Sequence, residues 1–298
     1  MSPRAPHRVF ARALVVACLG GGLLGGVACR GRASAPAGGG AAAAPARPAA
    51  DGDPLAAIAL AHDEVWRRLG PHQFQAKSRL QVTVEGQAPD LLEEEYRLEA
   101  GTAGAFHARY ENSHDQGREV VLAGGELYLR PRYGTFVRRR PEEGEADRLR
   151  QETWGGIAAA VEVVGRFVQA KPEGQATVAG RGARRLTLGL APQPRAAAPT
   201  PEPRREWRAS VVVQRLSGSL SVDEQTGAPL ACSLKAEYTF RRGGAAASAT
   251  LDLEGSLTPA AQVAVTAPAH VPQPTRTRYH VERRELLKGL VPPGAGAP

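Results

Sequence analysis

The sequence predicts a mostly β domain: an antiparallel sheet covered by an N-terminal helix and an internal helix. Apolar and polar residues alternate with a period of two through most of the stretch from Phe74 to Leu257, as in strands with one face on a core and the other in water. Only two stretches before Leu257, one behind Asp53 and one behind Thr153, carry the helical period instead. Glycine and proline break the alternating runs at short intervals, which predicts turns between neighbouring antiparallel strands.

Ahead of the domain stands a leader. Arg4, Arg8 and Arg12, with no acid among them, precede the short apolar stretch LVVACLGGGLLGGVAC at 14–29, the layout of a secretory signal. The stretch is too short for a membrane-spanning helix, and its glycines dilute its apolarity. Its end, Gly26-Val27-Ala28-Cys29, resembles a bacterial lipobox, with Gly26 where that pattern usually has leucine. The resemblance implies that a signal peptide, 1–28, is removed and that Cys29 receives lipid, palmitate included. A second small-residue site, Ala33-Ser34-Ala35, suits ordinary cleavage and would release a soluble periplasmic protein. Residues 29–52 are largely Ala, Gly and Pro and are expected to form a disordered tether.

Net charge excludes one class of partner. The formal charge of +8 comes from 38 basic and 30 acidic residues. Six of the basic ones, Arg4, Arg8, Arg12, Arg30, Arg32 and Arg47, precede the domain, so that from Asp51 onward 32 face 30 acids. The domain is nearly neutral, without the basic face that nucleic acid requires. Cys18 lies in the leader and Cys29 would be acylated, so Cys232 has no intramolecular partner and stability must come from packing.

A single domain is expected over 53–290. Asp53-Pro54 caps an amphipathic helix whose apolar positions are Leu55, Ile58, Val65, Trp66 and Leu69, and Gly70-Pro71 ends it. His62, Asp63 and Glu64 lie together on it; no second histidine stands at ligand spacing, so a solvated helix face is expected and no metal. Strands follow around 74–84, 92–98, 106–110, 119–122, 127–130 and 135–138, an antiparallel meander. Glu93, Glu94 and Glu95 share one strand, where alternation divides them between its faces. Arg138, Arg139 and Arg140 face Glu142, Glu143 and Glu145 in a locally paired loop. The internal helix is placed from a Thr153 cap to Lys171-Pro172, and strand character returns at 176–190 around a turn at Gly180-Arg181-Gly182. Residues 191–206, with five prolines, form an extended excursion. Strand 207–216 ends at Ser217-Gly218. After the Asp223–Gly227 turn, a long hairpin runs from Leu230 through Gly243-Gly244 to Leu257, with Cys232 on its apolar side. A proline-rich crossing, a short helix near 281–290 and a disordered tail at 291–298 complete the chain.

This order of elements, together with the turn sequence DEQTGAPL, resembles the open-barrel superfamily of the bacterial lipoprotein carrier, its outer-membrane receptor and the mycobacterial lipid-transfer lipoproteins. The resemblance implies a strongly curved antiparallel sheet, an open or half β-barrel, around an apolar hollow lidded by helices. It also implies an outer-membrane anchor facing the periplasm, since Arg30 after Cys29 is not the aspartate of inner-membrane retention. The physical argument is independent: a one-sided sheet with two helices offers more apolar surface than they cover, so either the core closes or a hollow remains. Candidate lining residues are Leu80, Val82, Tyr96, Leu98, Phe106, Tyr110, Leu234, Tyr238, Phe240, Leu251 and Leu253. The functions left open are binding of a lipid or acyl chain, with possible roles in lipid or lipoprotein transfer, and assembly through an envelope protein partner. No catalytic set is recognisable: Ser217-Gly218-Ser219 lacks the flanking glycines of a nucleophile elbow, and no cofactor is implied.

Overall fold

The computed structural model describes residues 55–196 and 207–272. The leader, Cys29, the tether, the Asp53-Pro54 cap, most of the proline-rich excursion and the C-terminal stretch 273–298 lie outside the described residues. The chain is organised as one antiparallel sheet of eleven strands in the order β6-β5-β4-β3-β2-β1-β11-β10-β9-β8-β7. Because β6 and β7 stand at opposite ends and do not pair, the sheet curves without closing.

Residues 55–60 form turns, with the Ile58 amide donating to the Leu55 carbonyl at 2.9 Å, and a regular helix, α1 (His62–Leu69), begins only after extended Ala61. The expected single helix is thus two short pieces whose apolar members Leu55, Ile58 and Val65 still face one core. Gly70 ends α1 with φ at 74°, a left-handed value that glycine adopts without strain. The meander then follows the expected order: β1 (His72–Val84), β2 (Asp90–Ala100), β3 (Phe106–Asn112), β4 (Gly117–Ala123), β5 (Glu126–Pro131) and β6 (Val137–Arg139).

The internal helix, α2 (Glu145–Val164), starts eight residues before the expected Thr153 cap. Glu145 and Asp147 in its first turn complement the helix dipole. The Glu145 carboxylate also accepts both guanidinium N–H groups of Arg139, at 2.5 Å, and the Glu142 amide at 3.1 Å. Thr153 lies inside the helix, buried, its hydroxyl donating to the Leu149 carbonyl at 3.4 Å. The helix ends at Val164 in a single 3-10 turn, Gly165–Phe167, and not at Lys171-Pro172, which belong to β7 (Val168–Val178). Pro172 is tolerated there because β7 is an edge strand and the register slips between Pro172 and Gly174.

After β8 (Arg181–Leu190) the chain leaves the sheet and returns through a helical turn at 207–209, where a strand was expected. The strand β9 (Val212–Asp223) then runs straight through Ser217-Gly218 without turning. Gly218 is required inside the strand: a Cβ there would overlap the Ser233 carbonyl oxygen of β10 (Pro229–Arg242). The Asp223 carboxylate holds the next turn, accepting from the Thr226 amide and hydroxyl, both at 2.7 Å, and from Arg181 Nε at 2.5 Å. Gly243 and Gly244, both with positive φ, join β10 to β11 (Ala245–Pro259).

The sheet is centred on the pairing of β1 with β11, which brings the first and last strands side by side. Their register runs from His72 opposite Pro259 through Leu80 opposite Leu251 to Val84 opposite Ala247, and the Ala260 amide adds a bond to the Pro71 carbonyl at 2.9 Å. One face carries the core, into which α2 turns Leu149, Trp154, Ile157, Val161 and Val164. The helix lies on β2, β3, β4 and β11. Gly156 makes the close approach possible, since a Cβ there would overlap the Tyr96 ring.

Candidate ligand-binding site

Along part of α2 the side facing the sheet is small. Gly156, Ala159, Ala160 and Val163 stand above Leu80 and Val82 of β1, Leu92 and Tyr96 of β2, and Leu251 of β11, and a hollow remains between helix and sheet. Tyr238 and Phe240 of β10 and Trp207 complete its apolar lining, into which Ser78 and Glu94 bring the polar groups. Its empty space is about 770 Å³ with the open mouth included, of which about 80 Å³ can hold the centre of a water molecule. A single water needs roughly 10–15 Å³ by the latter measure, so the hollow has room for a slender group and none for a bulky one.

Trp207 is held in place from two sides. Its ring meets Phe240 edge-on with centroids 5.6 Å apart. The following Arg208 pairs with Glu162 of α2 at 2.6 Å, and Ser210 Oγ accepts the Arg241 amide of β10 at 2.8 Å. The segment arriving from the excursion is thereby fastened to both helix and sheet.

Of the eleven candidate lining residues, Leu80, Val82, Tyr96, Tyr238, Phe240 and Leu251 meet at this hollow. Leu98, Phe106, Tyr110, Leu234 and Leu253 do not line it; they are buried in the surrounding core. Alternation marks the right face but not which part of that face is left uncovered. Leu92 and Glu94 share the face of Tyr96 and could have been found by that parity. Gly156, Ala159 and Ala160 give almost no hydrophobic signal, and their position depends on the rotation of α2.

A second apolar recess, beside Cys232, is lined by Ile58, Phe74, Trp154 and Ile157 and has about 30 Å³ for water centres. Cys232 is buried, and burial pushes its thiol up to about 12, which leaves it un-ionised and unreactive at neutral pH.

His62 departs from the solvated face expected for it. It is completely buried, and its Nε2 lies 3.0 Å from Nε2 of His72, also buried. The Gly70 carbonyl, 2.8 Å from His72 Nδ1, accepts a hydrogen bond from its N–H, which leaves His72 Nε2 as acceptor and His62 Nε2 as donor. Trp66 and Trp154 flank the pair at 5.5 and 5.4 Å from the His62 ring, and the buried Arg150 sits over Trp66. Burial, then the neighbouring His72 and Arg150, hold the His62 imidazole down to about 2. His72 is likewise lowered, by burial and Arg150, against the opposing Gly70 bond. Two neutral imidazoles with one shared hydrogen bond thus join α1 to the start of β1. Asp63 and Glu64 do remain at the surface, Glu64 pairing with Arg67 and Arg68.

These observations define a class: an open, curved antiparallel sheet with an internal helix and a narrow apolar hollow between them. No family model matches the chain, and no curated protein matches it. Solved structures do. A DUF1329 family protein from Desulfovibrio piger is 10% identical, the match covering 72% of this chain and 96% of that one with a TM-score of 0.23. A LolA superfamily protein from Nitrosomonas europaea is 10% identical over 70% of this chain and 94% of that one, TM-score 0.21. The MucA/MucB complex of Pseudomonas aeruginosa is 18% identical over 72% of this chain and 68% of that one, TM-score 0.20.

Proposed function

We propose that the protein is a binding protein of the bacterial cell envelope, not an enzyme, and that it takes one acyl chain of a lipid or lipoprotein into the hollow beneath α2. The observation that carries this reading is the apolar space under Gly156, Ala159 and Ala160: a narrow slot with aliphatic and aromatic walls suits a chain of methylenes, each of which gains about 0.8 kcal/mol on leaving water. The test is to fill the slot. Ala160→Leu places a branched side chain in the space, and the full chain carrying it is expected to lose binding of a slender, neutral fluorescent polyene alcohol while keeping its circular dichroism spectrum. Undiminished binding by this folded variant would show that the chain goes elsewhere.

The envelope address rests on the leader and on Cys29. On this reading a lipid on Cys29 holds the domain at the outer membrane on the periplasmic side. Cys29→Ala is then expected to move the protein from the membrane fraction into the soluble periplasmic fraction. Retention after a salt wash would count against acylation at that residue.

A second reading, assembly with another envelope protein, draws support from the edge of the sheet. Val137 on β6 is 56% exposed and nearby Tyr133 74% exposed, and an edge strand has free backbone groups on its outer side. Failure of every lipid to bind, with crosslinking through this edge in cells, favours that reading.

A further inference from the structure

The hollow is apolar on all sides but one, where β1 and β2 bring Ser78 and Glu94 into its wall. The Glu94 carboxylate is held there: Ser78 Oγ donates to its Oε2 at 3.0 Å and the Tyr110 hydroxyl to its Oε1 at 2.9 Å, while Asn112 Nδ2 donates to the Tyr110 oxygen at 2.9 Å. Burial, then the Glu94 charge, push the Tyr110 hydroxyl upward, which keeps its proton available for that bond. Both donors are neutral. The arginines nearby are occupied elsewhere, Arg79 with Glu93, Arg97 with Glu95 and Arg118 with Glu152, and among the described residues Glu94 makes no ion pair.

The neighbouring charged residues Lys77, Arg79, Glu93 and Glu95 alternate onto the other face of the sheet, where they border a separate polar recess open to solvent. The charged group on the core-facing side of β1 and β2 that reaches the hollow is therefore Glu94. A half-buried carboxylate without a cation is electrostatically incomplete, and a positive group brought beside it gains what an anion would lose.

We propose that the ligand is an amphiphile with a positively charged head: its chain lies under α2 and its ammonium group sits against the Glu94 carboxylate at the polar side of the hollow. This rests on the chain-binding reading above and adds the identity of the head. A fatty-acid carboxylate in the same position meets like charge and is disfavoured.

The test uses the full chain, with a slender neutral polyene alcohol as the fluorescent dye and three competitors of equal chain length: dodecylamine, dodecanol and dodecanoate, each below its aggregation concentration at pH 7. Dodecylamine is expected to displace the dye at about tenfold lower concentration than dodecanol, and dodecanoate to be weakest. Glu94→Gln keeps an acceptor oxygen for Tyr110 and turns its amide N–H toward the Ser78 oxygen; it is expected to remove the advantage of dodecylamine over dodecanol while both still displace the dye, which also reports that the slot is intact. Equal displacement by all three, or an advantage for dodecanoate, overturns the cationic head and leaves the chain-binding reading standing. Displacement by none of the three overturns both.

Discussion

His62 shows how one side chain can make stability depend on pH. A histidine held neutral in the folded state takes up no proton there, whereas the unfolded chain takes one near its ordinary pKa of about 6.5. Both His62 and His72 are lowered, so below about pH 6.5 the unfolded state binds more protons and stability falls with pH; above it the effect is absent. Each such imidazole contributes a slope of up to about 1.4 kcal/mol per pH unit. Urea unfolding of the wild type is expected to weaken steeply from pH 6.5 downward, and His62→Phe to show a clearly shallower slope. Equal slopes in the two proteins would mean that the buried pair is already solvated when folded. Nothing in the sequence marks this pair. His62 stands beside Asp63 and Glu64 at ten residues from His72, and only the reversal of the chain at Gly70 brings the two rings together.

At the scale of elements, α2 decides what space remains on the sheet, and two adjacent glycines in it do different work. A glycine inside a helix costs roughly 0.5–1 kcal/mol relative to alanine. At Gly155 an added Cβ meets nothing within 4 Å, so Gly155→Ala is expected to stabilise by about that amount. At Gly156 the same methyl group overlaps the Tyr96 ring, and the gain in propensity is outweighed by overpacking of about 1–3 kcal/mol. Chemical denaturation of the two single variants is expected to give opposite signs. Gains in both would show that α2 rides higher over β2 than described.

The strands were largely legible because their alternation is long and regular: β1, β2, β3, β10 and β11 all follow the period of two. The helix boundaries were less so. Glu145 read as the end of a charged loop, whereas it opens α2, its carboxylate complementing the helix dipole while pairing with Arg139. Lys171-Pro172 read as a helix stop because a proline does end helices, yet an edge strand accepts it equally. The hollow was legible as a face and not as a place, since its position is fixed by where small residues of α2 fall over β1 and β2.

For the molecule as a whole, the pairing of first and last strands ties two meanders into one sheet and one core. The cluster of buried side chains runs without interruption from Phe106 and Leu127 on one side to Leu186 and Leu188 on the other. The two halves share this main cluster, and a small second one, Val121, Tyr128 and Phe136, lies in the first half.

That same pairing governs how the domain answers a pull. His72 and Pro259 sit opposite one another at one extremity of the β1–β11 ladder, so the chain enters and leaves the sheet at a shared corner. Tension applied through both ends loads the rungs one after another from that corner, as a zipper is opened, instead of shearing them all together. Resistance to stretching is therefore smaller than if the two ends stood at opposite extremities of the ladder, and a pull from beyond residue 259 first lifts Val265 and Val271 from Val121, Tyr128 and Phe136 before it reaches the seam.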